Sequence, residues 1–258
     1  MAILQTIILG IIEGLTEFLP ISSTGHLILA NKILGFFQTE FAKTFEIIIQ
    51  GGAILSVVVL YWKKFLNKEV LKRLFVAFVP TAILGFLLYK IIKGYLLNSE
   101  GVVLRALLLG GIALILLELF FKSRKKENLV EDVADISFKK SFLIGCCQSL
   151  AIIPGVSRSG ATIMGGLLSN ISRKTIVEFS FLLAVPTMIG ACGYDLLKSG
   201  VSFSGNQVWI LLLGIVVSFL VALVAIKFLI KFVQKNSFIG FGVYRIVLAL
   251  VFLHYFLI

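Results

Sequence analysis

Glu13-Gly14-Leu15-Thr16-Glu17-Phe18-Leu19-Pro20-Ile21-Ser22-Ser23-Thr24-Gly25-His26 sets two carboxylates, the hydroxyl run Ser22-Ser23-Thr24 and an imidazole inside an apolar stretch from Ile3 to Leu34. An ionised side chain facing lipid costs about 3 kcal/mol or more at the middle of a helix, so these groups need a protein-lined or wet surrounding. Pro20 and the hydroxyls break the stretch into two pieces, Ile3–Leu19 and Gly25–Phe37. Each is short of the roughly 20 residues that cross a bilayer. Two short apolar pieces around a polar break predict a re-entrant helix–loop–helix. Irregular backbone at membrane depth survives only when buried in protein or lining a cavity.

The rest of the chain agrees with a membrane setting. Its 258 residues are 59% hydrophobic and 14% charged, whereas a soluble domain is nearer half apolar and a quarter charged. Long apolar runs recur without strand-like alternation, which predicts an all-α polytopic membrane protein and argues against a β-barrel. The net charge of +11 does not predict nucleic-acid binding. Lys and Arg gather between the apolar runs, as cytoplasmic loops beside anionic lipid do. Cys146, Cys147 and Cys192 have no zinc-site spacing and are expected to be small buried hydrophobes. The first basic residue is Lys32, so no basic leader region is evident and the first apolar segment is expected to stay in the mature protein.

Three spans are predicted after the first break, at Phe45–Trp62, Leu74–Ile92 and Val102–Phe121. A polar linker, Lys122–Lys140, follows. The second half repeats the plan: a short piece Phe142–Ile153, a break Pro154-Gly155-Val156-Ser157-Arg158-Ser159-Gly160-Ala161-Thr162, another short piece from Ile163, then spans Ile176–Leu197, Val208–Ile230 and Phe241–Ile258. A shift of 135 residues lays Gly10 on Gly145, Leu15 on Leu150, Ser22 on Ser157, Gly25 on Gly160 and Ile28 on Ile163, with Glu13 on the near-isosteric Gln148. Broken segments at matching places in two halves point to internal duplication with a central site. The expected fold is one integral domain, 1–258, of two inverted-topology repeats, each a re-entrant helix–loop–helix plus three transmembrane helices. Repeat one is 1–121, the linker 122–140 and repeat two 141–258. Placing the basic loop Lys63–Arg73 in the cytoplasm puts most Lys and Arg inside and both termini outside. The two breaks then enter from opposite faces and meet near the midplane.

Glu13 and Glu17 stand four residues apart and share a helix face. Paired carboxylates with phosphate oxygens suit Mg²⁺ or Ca²⁺. One of Ser22, Ser23 and Thr24 is expected to cap the following helix. A hydroxyl beside an imidazole is a nucleophile with its base, and His26 is an alternative nucleophile. In the second break Gly155 and Gly160 free the backbone for an anion cradle at a helix start. Arg158 brings a planar fork suited to phosphate, or a counter-charge for Glu13 or Glu17. Glu46, Gln50 and Arg245 are read as supporting or packing polar groups, and His254 as interfacial.

The stretches Glu13–His26 and Pro154–Thr162, with Thr44-Phe45-Glu46 to Gln50 and Glu178–Pro186, resemble the signatures of the undecaprenyl-diphosphatase family of bacitracin-resistance type. The likeness spans nearly the whole chain. It implies a multi-pass enzyme of the bacterial inner membrane that removes the terminal phosphate of undecaprenyl diphosphate, recycles the lipid carrier of peptidoglycan synthesis and confers bacitracin resistance. A divalent cation, Mg²⁺ or Ca²⁺, is implied as cofactor. Glu13, Glu17, Ser23, His26 and Arg158 would be essential, with Glu13 and Glu17 on the metal. Ser157, Ser159 and Thr162 would line the phosphate pocket, and Ser22, Thr24, Gly155 and Gly160 are counted with them. The site is expected to open to the periplasmic face. The lipid substrate and the membrane are the expected partners; a homodimer is left open. The alternative function is a transporter of undecaprenyl phosphate with a midplane phosphate site.

Overall fold

A computed structural model describes residues 1–35, 39–96, 99–122, 129–199 and 203–257. Phe37, Asn98 and residues 123–128 of the expected linker lie outside them. Among the described residues there are ten α-helices and no strand: α1 Ile3–Thr16, α2 Ser23–Ile33, α3 Glu40–Tyr61, α4 Lys68–Ile91, α5 Glu100–Lys122, α6 Phe138–Ser149, α7 Arg158–Leu168, α8 Arg173–Ser199, α9 Gly205–Val233 and α10 Ile239–Leu257. Val130 and Ile171 form one isolated parallel bridge that ties the linker to the turn before α8.

Five helices, α3, α4, α5, α8 and α9, are long and apolar enough to cross a membrane, whereas the apolar part of α10, Ile239–His254, is shorter. The chain is an all-α polytopic membrane protein. α1 and α2 have 14 and 11 residues. At 1.5 Å per residue neither spans a hydrocarbon core of about 30 Å. The spans begin earlier than hydropathy alone indicates, α3 at Glu40 and α4 at Lys68. Polar caps start them: Thr39 Oγ1 accepts from the Ala42 amide at 3.1 Å and Asn67 Oδ1 from the Glu69 amide at 2.9 Å. Such caps satisfy first-turn donors outside the apolar layer. α4 and α8 run through Pro80 and Pro186.

α1 and α3 lie against α9, and α6 and α8 lie against α4; α5 packs on α10 and α3 on α8. Exchanging the halves turns the α1–α9 pair into α6–α4 and α3–α9 into α8–α4. Small residues allow these approaches, since packing between helices in lipid depends on close backbone contact. A Cβ on Gly14 would stand 2.6 Å from the Ser218 carbonyl of α9, and one on Gly52 2.5 Å from that of Ile215.

The main apolar core includes Phe18, Val57, Phe179, Phe181, Leu182 and Ile226, with Phe18 and Phe181 edge to face at 5.3 Å. Leu55, Val59, Phe75, Leu109, Leu116, Trp209 and Val224 are exposed, a distribution that suits a lipid-facing exterior and not a water-facing one. Cys146 departs from expectation: it is exposed, and Cys147 and Cys192 are half-buried. In lipid an outward thiol costs little, so burial in protein is not required of it.

Candidate active site

Both breaks turn on a serine with left-handed backbone. Ser22 has φ 72° and ψ 96°, and Ser157 has φ 73° and ψ 112°. A non-glycine residue at positive φ is uncommon, and such strain gathers at functional sites. Each serine caps the helix it precedes. Ser22 Oγ accepts from the Gly25 amide at 3.3 Å, and Ser157 Oγ from the Gly160 amide at 3.1 Å. Closely similar local geometry 135 residues apart fits the sequence correspondence of Ser22 with Ser157 and Gly25 with Gly160.

The two breaks come together. Glu17 sits one residue past α1 and is buried. Ser23 Oγ donates to its Oε2 at 2.5 Å, and Arg158 Nη2 donates to its Oε1 at 2.7 Å. Arg158 also donates through Nη1 to the Ser180 carbonyl at 2.7 Å, with its guanidinium 5.8 Å from the Phe18 ring centre. One carboxylate thus joins the hydroxyl of the first break to the cation of the second. Charge-assisted bonds of this kind are shorter and stronger than neutral ones.

Glu17, Ser22, Ser23, Thr24, Gly155, Ser157 and Arg158 line one pole of a cavity of about 520 Å³. Apolar side chains, including Ile47, Phe78, Phe86 and Met188, line much of the rest. A largely apolar chamber with a few converging polar groups is the usual form of a small-molecule site. Gly155, at φ +94°, passes so close to α5 that a Cβ would stand 2.6 Å from the Val103 carbonyl. No other residue fits that turn without strain.

Five expected residues are not on the wall. Ser159 Oγ donates to the Leu19 carbonyl at 2.8 Å, and Thr162 Oγ1 to the Arg158 carbonyl at 2.8 Å. The Gly160 amide is taken by Ser157. Ser159 ties the second break to the first, while Gly160 and Thr162 hold the start of α7. Glu13 lies fully buried behind Glu17, and neither of its carboxylate oxygens has a hydrogen-bond partner. His26 has a different neighbour from the one expected. Its Nδ1 donates to the Ser22 carbonyl at 2.7 Å, which leaves Nε2 to accept from the Tyr244 hydroxyl at 2.7 Å. The two rings are parallel, with centres 5.6 Å apart, and meet edge to edge through that bond. Both nitrogens are therefore engaged, and the Ser23 hydroxyl is bonded to Glu17 and not to His26.

Among the described residues no group of three or more His, Cys, Asp or Glu side chains is set to hold a metal. The two carboxylates do fit a hard cation that keeps waters and takes its remaining ligands from substrate phosphate. The orphaned oxygens of Glu13 are the observation in favour, because a buried unpaired carboxylate is costly unless a cation meets it.

The chain matches the family described as bacitracin resistance protein BacA over residues 6–251. It belongs to that family. It is 53% identical over 252 residues to the undecaprenyl-diphosphatase of Sulfurihydrogenibium sp. (strain YO3AOP1), covering 98% of each chain. It is 54% identical over 254 residues to that of Persephonella marina, and 50% over 254 residues to that of Aquifex aeolicus, again covering 98% of each chain. In this BacA-family chain the two sequence islands meet in the wall of one cavity.

Sequence reasoning missed part of the wall. Gln148 Nε2 donates to Thr81 Oγ1 at 3.0 Å and to Thr187 Oγ1 at 3.1 Å, and all three line the cavity with Gln50, Tyr89 and Asp195. The available signal was the Pro-Thr pair in the middle of α4 and again of α8, where a hydroxyl follows a helix-breaking ring. Arg245 was read too weakly: it is buried and bonded to five backbone carbonyls.

Proposed function

We propose that this chain hydrolyses undecaprenyl diphosphate to undecaprenyl phosphate and inorganic phosphate, in the manner its relatives' name states. The observation that carries the mechanism is the short bond from Ser23 to Glu17, with Arg158 on the same carboxylate. The diphosphate enters the polar pole of the cavity and the prenyl chain follows the apolar wall out to lipid. Ser23 Oγ attacks the terminal phosphorus in line. The bond from that phosphorus to the bridging oxygen breaks, and prenyl monophosphate leaves. Glu17 Oε2 takes the Ser23 proton and passes it to a departing phosphate oxygen. Water then attacks the phosphoserine and gives a proton to Glu17, the bond from phosphorus to Ser23 Oγ breaks, Glu17 returns that proton to Ser23 Oγ, and inorganic phosphate is released. Arg158, the Gly155 turn and the hydroxyls of Ser22, Thr24 and Ser157 stabilise charge that develops on the transferred phosphoryl group.

Glu13 and Glu17 would hold a divalent cation, Mg²⁺ or Ca²⁺, whose chemistry here is to neutralise phosphate oxygens and improve the leaving group. His26, held between Ser22 and Tyr244, orients the start of α2 in place of abstracting a proton. The inverted relation of the halves is supported by the matching breaks at Ser22 and Ser157 and by the exchangeable helix pairs. With the basic loops inside, the chain sits in the bacterial inner membrane with the first break, and the site, entered from the periplasmic face. The product returns to peptidoglycan synthesis, and faster turnover confers bacitracin resistance. A transporter of undecaprenyl phosphate would need charge and dipoles at this depth but no hydroxyl on a carboxylate, so Ser23 favours the enzyme. Phosphate release from undecaprenyl diphosphate by the purified protein, with and without chelator, tests the reading. Release that stops with chelator is expected; no release under either condition, with lipid transfer in liposomes, would reverse it.

A further inference from the structure

Arg245 lies in the middle of α10 and is 1% exposed. Among the described residues it forms no ion pair with a carboxylate. Instead its guanidinium donates five times to backbone: Nε to Leu107 O at 3.3 Å, Nη1 to Pro20 O at 3.2 Å and to Val156 O at 3.0 Å, Nη2 to Ala106 O at 3.0 Å and to Gly155 O at 2.9 Å. A guanidinium has five N–H donors, so every one is used. Two of the acceptors belong to α5 and three to the breaks. Pro20 is three residues before Ser23, and Val156 is two before Arg158.

The carbonyls of Pro20, Gly155 and Val156 are in irregular backbone, where no helical amide is placed to meet them. At membrane depth such groups must find a partner inside the protein. An intramembrane charge that is neither at the cavity wall nor paired to an acid is costly, and this one is offset by aligned carbonyl dipoles. We propose that Arg245 is a positioning residue: one planar fork holds the first break and the second break at a fixed separation against α5, and thereby sets Ser23 and Arg158 in reacting register. This rests on the reading that Ser23 and Arg158 carry the reaction. Arg245 touches neither substrate nor reacting atoms; it acts through the two backbones. Lysine cannot replace it, because an ammonium has three donors and no fixed plane.

The test uses the full chain in lipid nanodiscs, comparing wild type with Arg245→Lys and Arg245→Gln. Glu118→Gln is the control for a merely structural loss. Glu118 also joins α5 to the neighbourhood of α10, through Arg173 and the Phe238 amide, but makes no bond to either break. Backbone hydrogen exchange by mass spectrometry is read in peptides covering residues 17–25 and 153–160, with α9 as reference. Arg245→Lys is expected to raise exchange about tenfold or more in both breaks and to leave α9 unchanged. In the same samples kcat falls about 100-fold with KM within about threefold, as a misplaced reacting group does. Glu118→Gln leaves exchange in both breaks at the wild-type level. Unchanged exchange in the breaks of the Arg245 variants, a rise in one break alone, or an equal rise in α9 would overturn the proposal. Exchange needs no turnover, so an inactive wild type would sink the phosphatase reading and still leave the role of Arg245 decided.

Discussion

Ser23 and Glu17 are joined by a 2.5 Å hydrogen bond in which the hydroxyl donates to Oε2. The other oxygen of that carboxylate is held by Arg158 at 2.7 Å. The hydroxyl of the first break, the carboxylate beside it and the guanidinium of the second break are therefore one connected unit, built from residues far apart in sequence.

Glu17→Gln removes the proton acceptor and leaves Arg158 without its counter-charge. Turnover is expected to fall about 10²–10⁴-fold, the usual worth of a general base. Stability falls as well, by about 3–5 kcal/mol, because breaking a buried pair strands the remaining ion. Steady-state kinetics and a thermal melt of the same preparation check both effects.

Glu13→Gln separates the cation from the acid-base step. In wild type, added Mg²⁺ or Ca²⁺ raises the melting temperature, since a ligand bound only to the folded state stabilises it. In the variant that rise is expected to disappear. With chelator present the variant melts no lower than wild type, because an uncharged amide replaces a buried carboxylate whose oxygens have no partner. A cation-dependent rise of equal size in the variant would place the ion elsewhere.

Arg158→Lys keeps a positive charge but loses the planar fork that reaches Glu17 and the Ser180 carbonyl together. The expected loss is about 1.5–3 kcal/mol in kcat/KM, the worth of a hydrogen bond to a charged group, or roughly tenfold to 150-fold. Initial rates over a range of substrate measure it.

Gly52→Ala and Gly51→Ala test helix packing with one methyl each. A Cβ at Gly52 meets the Ile215 backbone at 2.5 Å, whereas one at Gly51 meets nothing within 4 Å. Gly52→Ala is expected to destabilise by about 1–3 kcal/mol through overpacking. Gly51→Ala is expected to be neutral or to stabilise by up to about 1 kcal/mol through helix propensity. Chemical denaturation in mixed micelles ranks the two.

The membrane class, the two breaks and the residues Glu17, Ser23 and Arg158 were legible because charge and hydroxyl stand out against apolar sequence. Partners were less legible. Adjacency along the chain put His26 beside Ser23, but the helical turn from Ser22 carries the imidazole away to Tyr244, 218 residues on. Adjacency equally made Ser159, Gly160 and Thr162 look like an anion cradle, when Ser159 is bonded across to Leu19 and Gly160 and Thr162 are bonded within the start of α7. Arg245 was visible as an intramembrane charge, but its five acceptors are backbone carbonyls, and no sequence pattern marks a carbonyl.

The most direct test is rapid acid quenching of the protein during turnover of a prenyl diphosphate labelled in its terminal phosphate, followed by mapping of the protein-bound label. The account predicts an acid-stable phosphoserine at Ser23, absent from Ser23→Ala. An acid-labile label on His26, or Ser23→Ala turning over at the wild-type rate, would contradict it.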